Sequence, residues 1–221
     1  MRERPDPLGW DGYCDRWSAT HGGYDPRQAP APVRGWLRLC HRMGAALARR
    51  GARNPDVVTA AGVLAAAAVP LIAATAPSAA PAAALLVLLT AFADTIDGVL
   101  AVVADRATRL GQVCDATADR LSEALWLASF AVLGAPVWLA ATCGAVMWLH
   151  EYVRARASLA GMSDIGTVTI AERPTRILIV MVGLLAVPLD PRSATVTLVI
   201  ALAVSLIGLL QLIAAVRRAL R

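Results

Sequence analysis

The sequence predicts an all-α fold, a bundle of six transmembrane helices preceded by an interfacial amphipathic helix, and three observations predict it. Of the 221 residues, 57% are hydrophobic and only 17% charged, against roughly half and a quarter in soluble domains. The apolar residues gather in several long runs, as a bilayer-crossing helix of roughly 20 residues requires. All 21 basic residues are arginine, and they fall in alternate connections between those runs, as the positive-inside rule expects of cytoplasmic loops.

The same distribution excludes other classes. A net charge of +5 and a pI near 9.6 would suit nucleic acid binding in a soluble protein, but arginines confined to span ends point to anionic lipid headgroups and phosphorylated substrates, with no nucleic acid partner. Cys14, Cys40, Cys114 and Cys143 are scattered and form no CxxC pair, which argues against a zinc site or a disulfide framework. The first 30 residues have no apolar centre and do not read as a secretory signal.

Residues 1–30 show no periodicity and read as a cytoplasmic N-terminal extension; Trp10, Tyr13, Trp17 and Tyr24 leave room for a segment that packs on the domain or a partner. Residues 31–53 form the interfacial element. Val33, Trp36, Leu37, Cys40, Met43, Ala46 and Leu47 make an apolar stripe at helical spacing, with Arg34, Arg38, Arg42, Arg49 and Arg50 around it. Residues 54–221 hold the six spans. Asn54, Pro55 and Asp56 start the first, which runs to about Ala76. The uncharged APSAAPA turn lies outside. A second helix from about Ala82 returns to Asp94 and Asp97, with Arg106 and Arg109 on the inner connection. A third starts near Gly111, carries Asp115, Asp119 and Glu123, and then becomes apolar. The fourth ends inside at His150, Glu151, Arg154 and Arg156; the fifth runs from Thr175 to about Leu189, and the sixth from Ala194 to the terminal arginines. Only Arg192 falls outside, so both termini lie in the cytoplasm of a multi-pass cell-membrane protein.

The costly feature is the segment from Asp94 to Asp119. Asp94 and Asp97 stand three apart on one helix, and Asp115 and Asp119 four apart on the next, so each pair shares a face. A short connection makes those helices antiparallel neighbours whose carboxylates converge. Charges that meet in low dielectric repel unless cations neutralise them. Oxygen ligands in that number suit Mg²⁺ or Mn²⁺, with room for two ions. Gly98 and Gly111 mark positions where something approaches the backbone closely, and a nucleotide held by metal-bridged phosphates would be such a thing.

These residues also carry a family signature. DTIDG, Ala101, Gly111, Asp115 and Asp119 resemble, with the spacing kept throughout, the signature of the CDP-alcohol phosphatidyltransferase family, and the likeness extends over roughly residues 32–220. The resemblance implies metal binding by Asp94, Asp97, Asp115 and Asp119, with Asp119 as ligand or catalytic base. It places Asp94, Gly98, Ala101 and Gly111 on the CDP side. It implies that an acceptor hydroxyl attacks the phosphorus of CDP-diacylglycerol that bears the lipid, that CMP leaves, and that the protein is a homodimer. One position departs from the signature: Val102 stands where an arginine is usual. Arg106, one turn further along the same face, could compensate; the alternatives are a nucleotide held differently or lost activity.

YVRAR and ERPTR supply Arg154, Arg156, Arg173 and Arg176. They resemble segments of actinobacterial phosphatidylinositol phosphate synthases in which basic side chains bind the acceptor phosphate; guanidinium forks suit phosphate dianions. Gln211 and Leu212 stand where that subgroup tends to place a further arginine, so inositol phosphate and glycerol phosphate both remain acceptors to consider. His150 reads as structural, Glu123 as a partner of Arg120 or of an arginine from another span, and Trp126, Trp138 and Trp148 as interface anchors or lipid-facing bulk. Two other classes compete: a catalytically silent membrane subunit, suggested by Val102, and a cation-coupled transporter, which the clustering of the aspartates disfavours.

Overall fold

The computed structural model describes residues 9–20, 25–52, 54–162 and 169–221. The parts of the N-terminal extension at 1–8 and 21–24, Tyr24 among them, and residues 163–168 of the loop before the fifth span lie outside that set. Among the described residues there are eight α-helices and no strand: α1 Trp10–Thr20, α2 Ala31–Arg49, α3 Pro55–Ala73, α4 Ala80–Val103, α5 Arg109–Val132, α6 Val137–Leu159, α7 Arg173–Ala186 and α8 Ser193–Ala219. Among the described residues, three stretches could cross a membrane by length and composition: Pro55–Ala73, Pro77–Val103 and Ser193–Ala219.

Four of the helices stop for the same local reason. In a Schellman ending, a residue with positive φ just past the helix lets two following N–H groups reach back to the last carbonyls. Gly51, Gly134 and Gly161 take that position after α2, α5 and α6, with φ between 92° and 101°. After α4 the position belongs to Asp105, at φ 55°, one of the few side chains that tolerate it. Arg106 N–H then bonds Ala101 O at 2.9 Å and Asp105 N–H reaches Val102 O at 3.4 Å. This corrects the expectation for Arg106. It lies beyond the helix end, so the i, i+4 relation to Val102 does not exist, and its side chain is exposed.

The chain divides into two compact units. The first comprises residues 1–62 and 91–118, the second residues 63–90 and 119–221. In the first unit, α1 is a docked helix: Tyr13 and Cys14 are fully buried in a cluster with Cys40, Ile96, Val99, Leu100, Val102 and Val103. Tyr13 stands 5.7 Å from Trp17 and 5.0 Å from His41 between ring centroids, and Trp10 meets His41 edge-on at 5.6 Å. Offset and edge contacts of this kind each add about 0.5–1.5 kcal/mol to area burial. Arg27 clasps the base of α1, reaching Asp15 at 2.7 Å, Asp11 at 3.7 Å and Asp25 at 2.9 Å. Helix α2 buries Cys40, His41, Gly44 and Ala45 and leaves Val33, Leu39 and Met43 exposed. It approaches α4 so closely that a Cβ on Gly44 would lie 2.6 Å from Val99 Cγ1.

The second unit has the larger core, including Val69, Val87, Trp126, Phe130, Cys143, Met147, Leu184 and Leu198. Helices α7 and α8 meet where Gly183 faces the Thr197 side chain with no space for a Cβ.

Candidate functional site

Within the first unit, α4 and α5 bring Asp94, Asp97 and Asp115 together, one carboxylate oxygen from each lying within 4.8 Å of the others. Asp97 is 5% exposed, Asp94 half-buried and Asp115 exposed, so the cluster grades from a dry end to a wet one. Thr59 of α3 donates to Asp97 Oδ2 at 2.6 Å and also contacts Pro55 O at 3.2 Å. Sequence reasoning missed Thr59. Its signal was present, since Thr59 is the one hydroxyl in α3 and, beyond Asp56 in the first turn, its one polar side chain. Three carboxylates around one point, one of them buried with a single hydroxyl donor, suit a hard divalent cation that takes oxygen ligands.

The glycines turn out differently from one another. Thr108 caps α5, its Oγ1 accepting from Gly111 N–H at 2.9 Å, and a Cβ on Gly111 would press on that oxygen at 3.0 Å. Gly98 faces α1, where a Cβ would rest 3.7 Å from Cζ3 of Trp17. Ala101 is half-buried, and Val102 is 8% exposed. Arg16 of α1 donates to Val102 O at 3.3 Å and stands 3.6 Å from Asp105.

Asp119 belongs to the second unit, where it pairs with Arg173 and lies 3.6 Å from Arg120. The remaining arginines are held in a carboxylate network. Arg176, 2% exposed, donates Nη1 to Glu123 Oε1 at 2.8 Å, Nη2 to Glu151 Oε1 at 2.9 Å and Nε to Ala171 O at 2.7 Å. Arg154 donates to Glu172 Oε1 at 2.5 Å, and Thr169 donates to the same oxygen at 2.9 Å. Thr169 Oγ1 also lies 3.1 Å from His150 Nε2, and His150 Nδ1 lies 3.3 Å from both Arg176 Nη2 and Glu151 Oε1. Arg173 also lies over the Trp126 ring at 5.9 Å, a cation–π distance. Arg156 is exposed. Of the four arginines expected on the acceptor side, Arg176 is therefore the inner brace, while Arg154 and Arg173 are half-buried and ion-paired.

The sequence profile of the CDP-alcohol phosphatidyltransferase family matches residues 53–208, more than two thirds of the chain. The chain belongs to that family. As a CDP-alcohol phosphatidyltransferase family member it is similar to the phosphatidylinositol phosphate synthase of Mycolicibacterium smegmatis, at 36% identity over 57% of this chain and 60% of the relative. The enzyme of that name from Mycobacterium bovis is 34% identical over 41% of this chain and 44% of its own length. The archaetidylinositol phosphate synthase of Pyrococcus horikoshii is 35% identical over 42% and 50%. The chain thus spans about half the length of these relatives, and the family match leaves α1 and α2 outside it.

Proposed function

We propose that this chain is an integral membrane phosphatidyltransferase of phospholipid synthesis, moving a phosphatidyl group from CDP-diacylglycerol to a polar alcohol and releasing CMP. The observation that carries the reading is the convergence of Asp94, Asp97 and Asp115 within 4.8 Å in a chain of this family. The three carboxylates, with Asp119 as a fourth ligand on the strength of the signature, would hold one or two Mg²⁺ or Mn²⁺ ions, which would supply charge neutralisation at the diphosphate and at the leaving CMP.

The protein's own groups do the rest. The acceptor oxygen forms a bond to the lipid-bearing phosphorus, the bond from that phosphorus to the CMP oxygen breaks, and the acceptor proton passes to a carboxylate, for which Asp119 is the candidate. Asp94, Gly98, Ala101 and Gly111 bound the nucleotide side. Arg154, Arg156 and Arg173 receive the acceptor's phosphate, with Arg176 holding Glu123 and Glu151 in place. The relatives are named for phosphatidylinositol phosphate and archaetidylinositol phosphate, so inositol phosphate is the first acceptor to test and glycerol phosphate the second.

Helices α3 to α8 cross the membrane in this reading, with the termini and the aspartates on the cytoplasmic side. Its support is the arginine distribution and the three stretches whose length and apolarity suffice. Helix α7, with 14 residues, is about 21 Å long and the shortest of the six. Helix α2 lies along the membrane surface in this reading, with Trp36, Cys40 and Leu47 of its stripe packed within the first unit and Val33 and Met43 exposed, and the homodimer rests on the family resemblance alone.

Purified protein with CDP-diacylglycerol, Mg²⁺ or Mn²⁺ and a panel of inositol phosphate, glycerol phosphate, inositol and serine releases CMP with at least one acceptor. Asp97→Asn and Asp119→Asn abolish that release. Intact turnover in both variants would overturn the proposal. Absence of CDP and divalent-ion binding in the parent protein would favour the catalytically silent reading that Val102 suggests.

A further inference from the structure

Asp94, Gly98 and Val102 follow one another at i, i+4 spacing, so they form one row on α4. The metal-capable carboxylates stand at the start of that row. At its far end the chain has no in-helix cation, since Val102 is apolar and is buried in the same cluster as Tyr13 and Cys14 of α1. A long charged side chain at position 102 would have to displace α1 from this seat. Helix α1 returns a cation to the same level from outside the helix. Arg16 puts Nη1 3.3 Å from Val102 O, and its side chain remains 40% exposed. Trp17, the next residue, lies against Gly98.

The placement of α1 is fixed rather than incidental. Its aromatic residues pack on His41 of α2, Arg38 lies over Trp10 at 5.3 Å, and Arg27 ties Asp11 and Asp15 to Asp25. Arg16 therefore sits at a defined height on α4. The partial negative charge of the last carbonyls of α4 favours a guanidinium there, and a planar fork can engage phosphate oxygens in two directions.

We propose that Arg16, carried by α1, is the phosphate-binding cation of the nucleotide side, so that Val102 and the docked α1 together replace an arginine within α4. This rests on the reading of the chain as a transferase that uses a cytidine diphosphate donor. Arg16 is a binding and positioning residue, and it lies outside the part of the chain that the family profile matches.

The test uses the full-length protein in detergent or lipid nanodiscs, with CDP plus Mg²⁺ as the calorimetric probe and CDP-diacylglycerol as the kinetic substrate. Arg16→Ala weakens CDP binding and raises the donor KM by about tenfold, the scale of one lost charge-assisted contact, while kcat changes less than about twofold. Arg16→Lys keeps the charge and recovers part of the loss. Arg49→Ala, at the exposed end of α2, leaves both values unchanged. Val102→Arg combined with Arg16→Ala restores affinity if the packing under α1 accepts it; Arg16→Lys decides the matter if that variant does not fold.

Unchanged CDP affinity in Arg16→Ala, with or without a lower melting temperature, would make Arg16 a cap on α4 only and overturn the proposal. A gain in affinity would make α1 a cover over the site and also overturn it. Failure of the parent protein to bind CDP or release CMP would instead remove the transferase reading itself, and this inference with it.

Discussion

Arg176 and Glu123 form an ion pair at 2.8 Å in which both side chains are only 2% exposed. Glu151 and the Ala171 carbonyl take further donors of the same guanidinium. Removing one member of a buried pair leaves the other charged and unpaired, which typically costs about 3–5 kcal/mol, whereas replacing both with apolar groups costs far less. Arg176→Leu is therefore expected to lower the unfolding temperature in detergent strongly, Glu123→Gln less, and Arg176→Met with Glu123→Met least. Arg156→Ala, at an exposed position, is expected to stay within about 0.5 kcal/mol of the parent. A double variant less stable than Arg176→Leu would contradict the assignment of this pair as a brace.

The hydroxyl of Thr59 orients the buried member of the aspartate cluster, bonding Asp97 Oδ2 at 2.6 Å. Groups behind a metal ligand commonly tune affinity or activity by about 10–100-fold. Thr59→Val keeps the shape and removes the donor. The Mn²⁺ concentration needed for half-maximal CMP release should rise by about tenfold, with saturating activity retained in part. An unchanged Mn²⁺ requirement would show that Asp97 needs no such support.

How far the sequence could be read depended on how local each relationship was. Asp94, Asp97 and Asp115 were legible because helical spacing and one short connection suffice to bring them together. Arg106 was misjudged because the helix was assumed to continue, and nothing in a propensity scale announces that Asp105 will take φ 55°. Thr59 could have been suspected from its isolation in an apolar run. The network around Arg176 joins residues 25, 26 and 53 positions away; each charge was visible, but only tertiary packing decides which carboxylate meets which arginine. The docking of α1 was the least legible feature. Trp10, Tyr13, Cys14 and Trp17 do stand at i, i+3, i+4 and i+7 and so form one helical face, but the run is short and set among acids and glycines, and its burial comes from contacts with His41 and the α4 residues.

Gly44 marks a close approach of α2 to α4. A Cβ there would lie 2.6 Å from Val99 Cγ1 and 3.0 Å from Val99 Cβ, and Val99 is itself fully buried. Overpacking a tight contact typically costs about 1–3 kcal/mol. Gly44→Val is expected to destabilise the first unit by at least that much, as followed by tryptophan fluorescence during unfolding. Val99→Ala opens a small void on its own but should recover part of the loss when combined with Gly44→Val. Strict additivity of the two effects would mean that the residues do not touch.

The four cysteines offer a map of packing that can be measured without any substrate. Cys114 is exposed, whereas Cys14, Cys40 and Cys143 are buried. Burial also pushes the Cys14 and Cys40 thiols up to about 11, so at neutral pH each is a protonated thiol and a poor nucleophile. Thiolate chemistry at these two positions should therefore emerge only as pH rises towards 11, or when α1 and α2 separate and the thiols return to their ordinary range. At pH 7 a maleimide is expected to label Cys114 within minutes and the other three only after unfolding. Arg27→Ala removes the clasp on Asp11, Asp15 and Asp25. If that clasp holds α1 in place, the variant should speed the labelling of Cys14, which is carried by α1, without changing Cys143. Equal protection of Cys14 in both proteins would show that the aromatic packing alone holds α1 down.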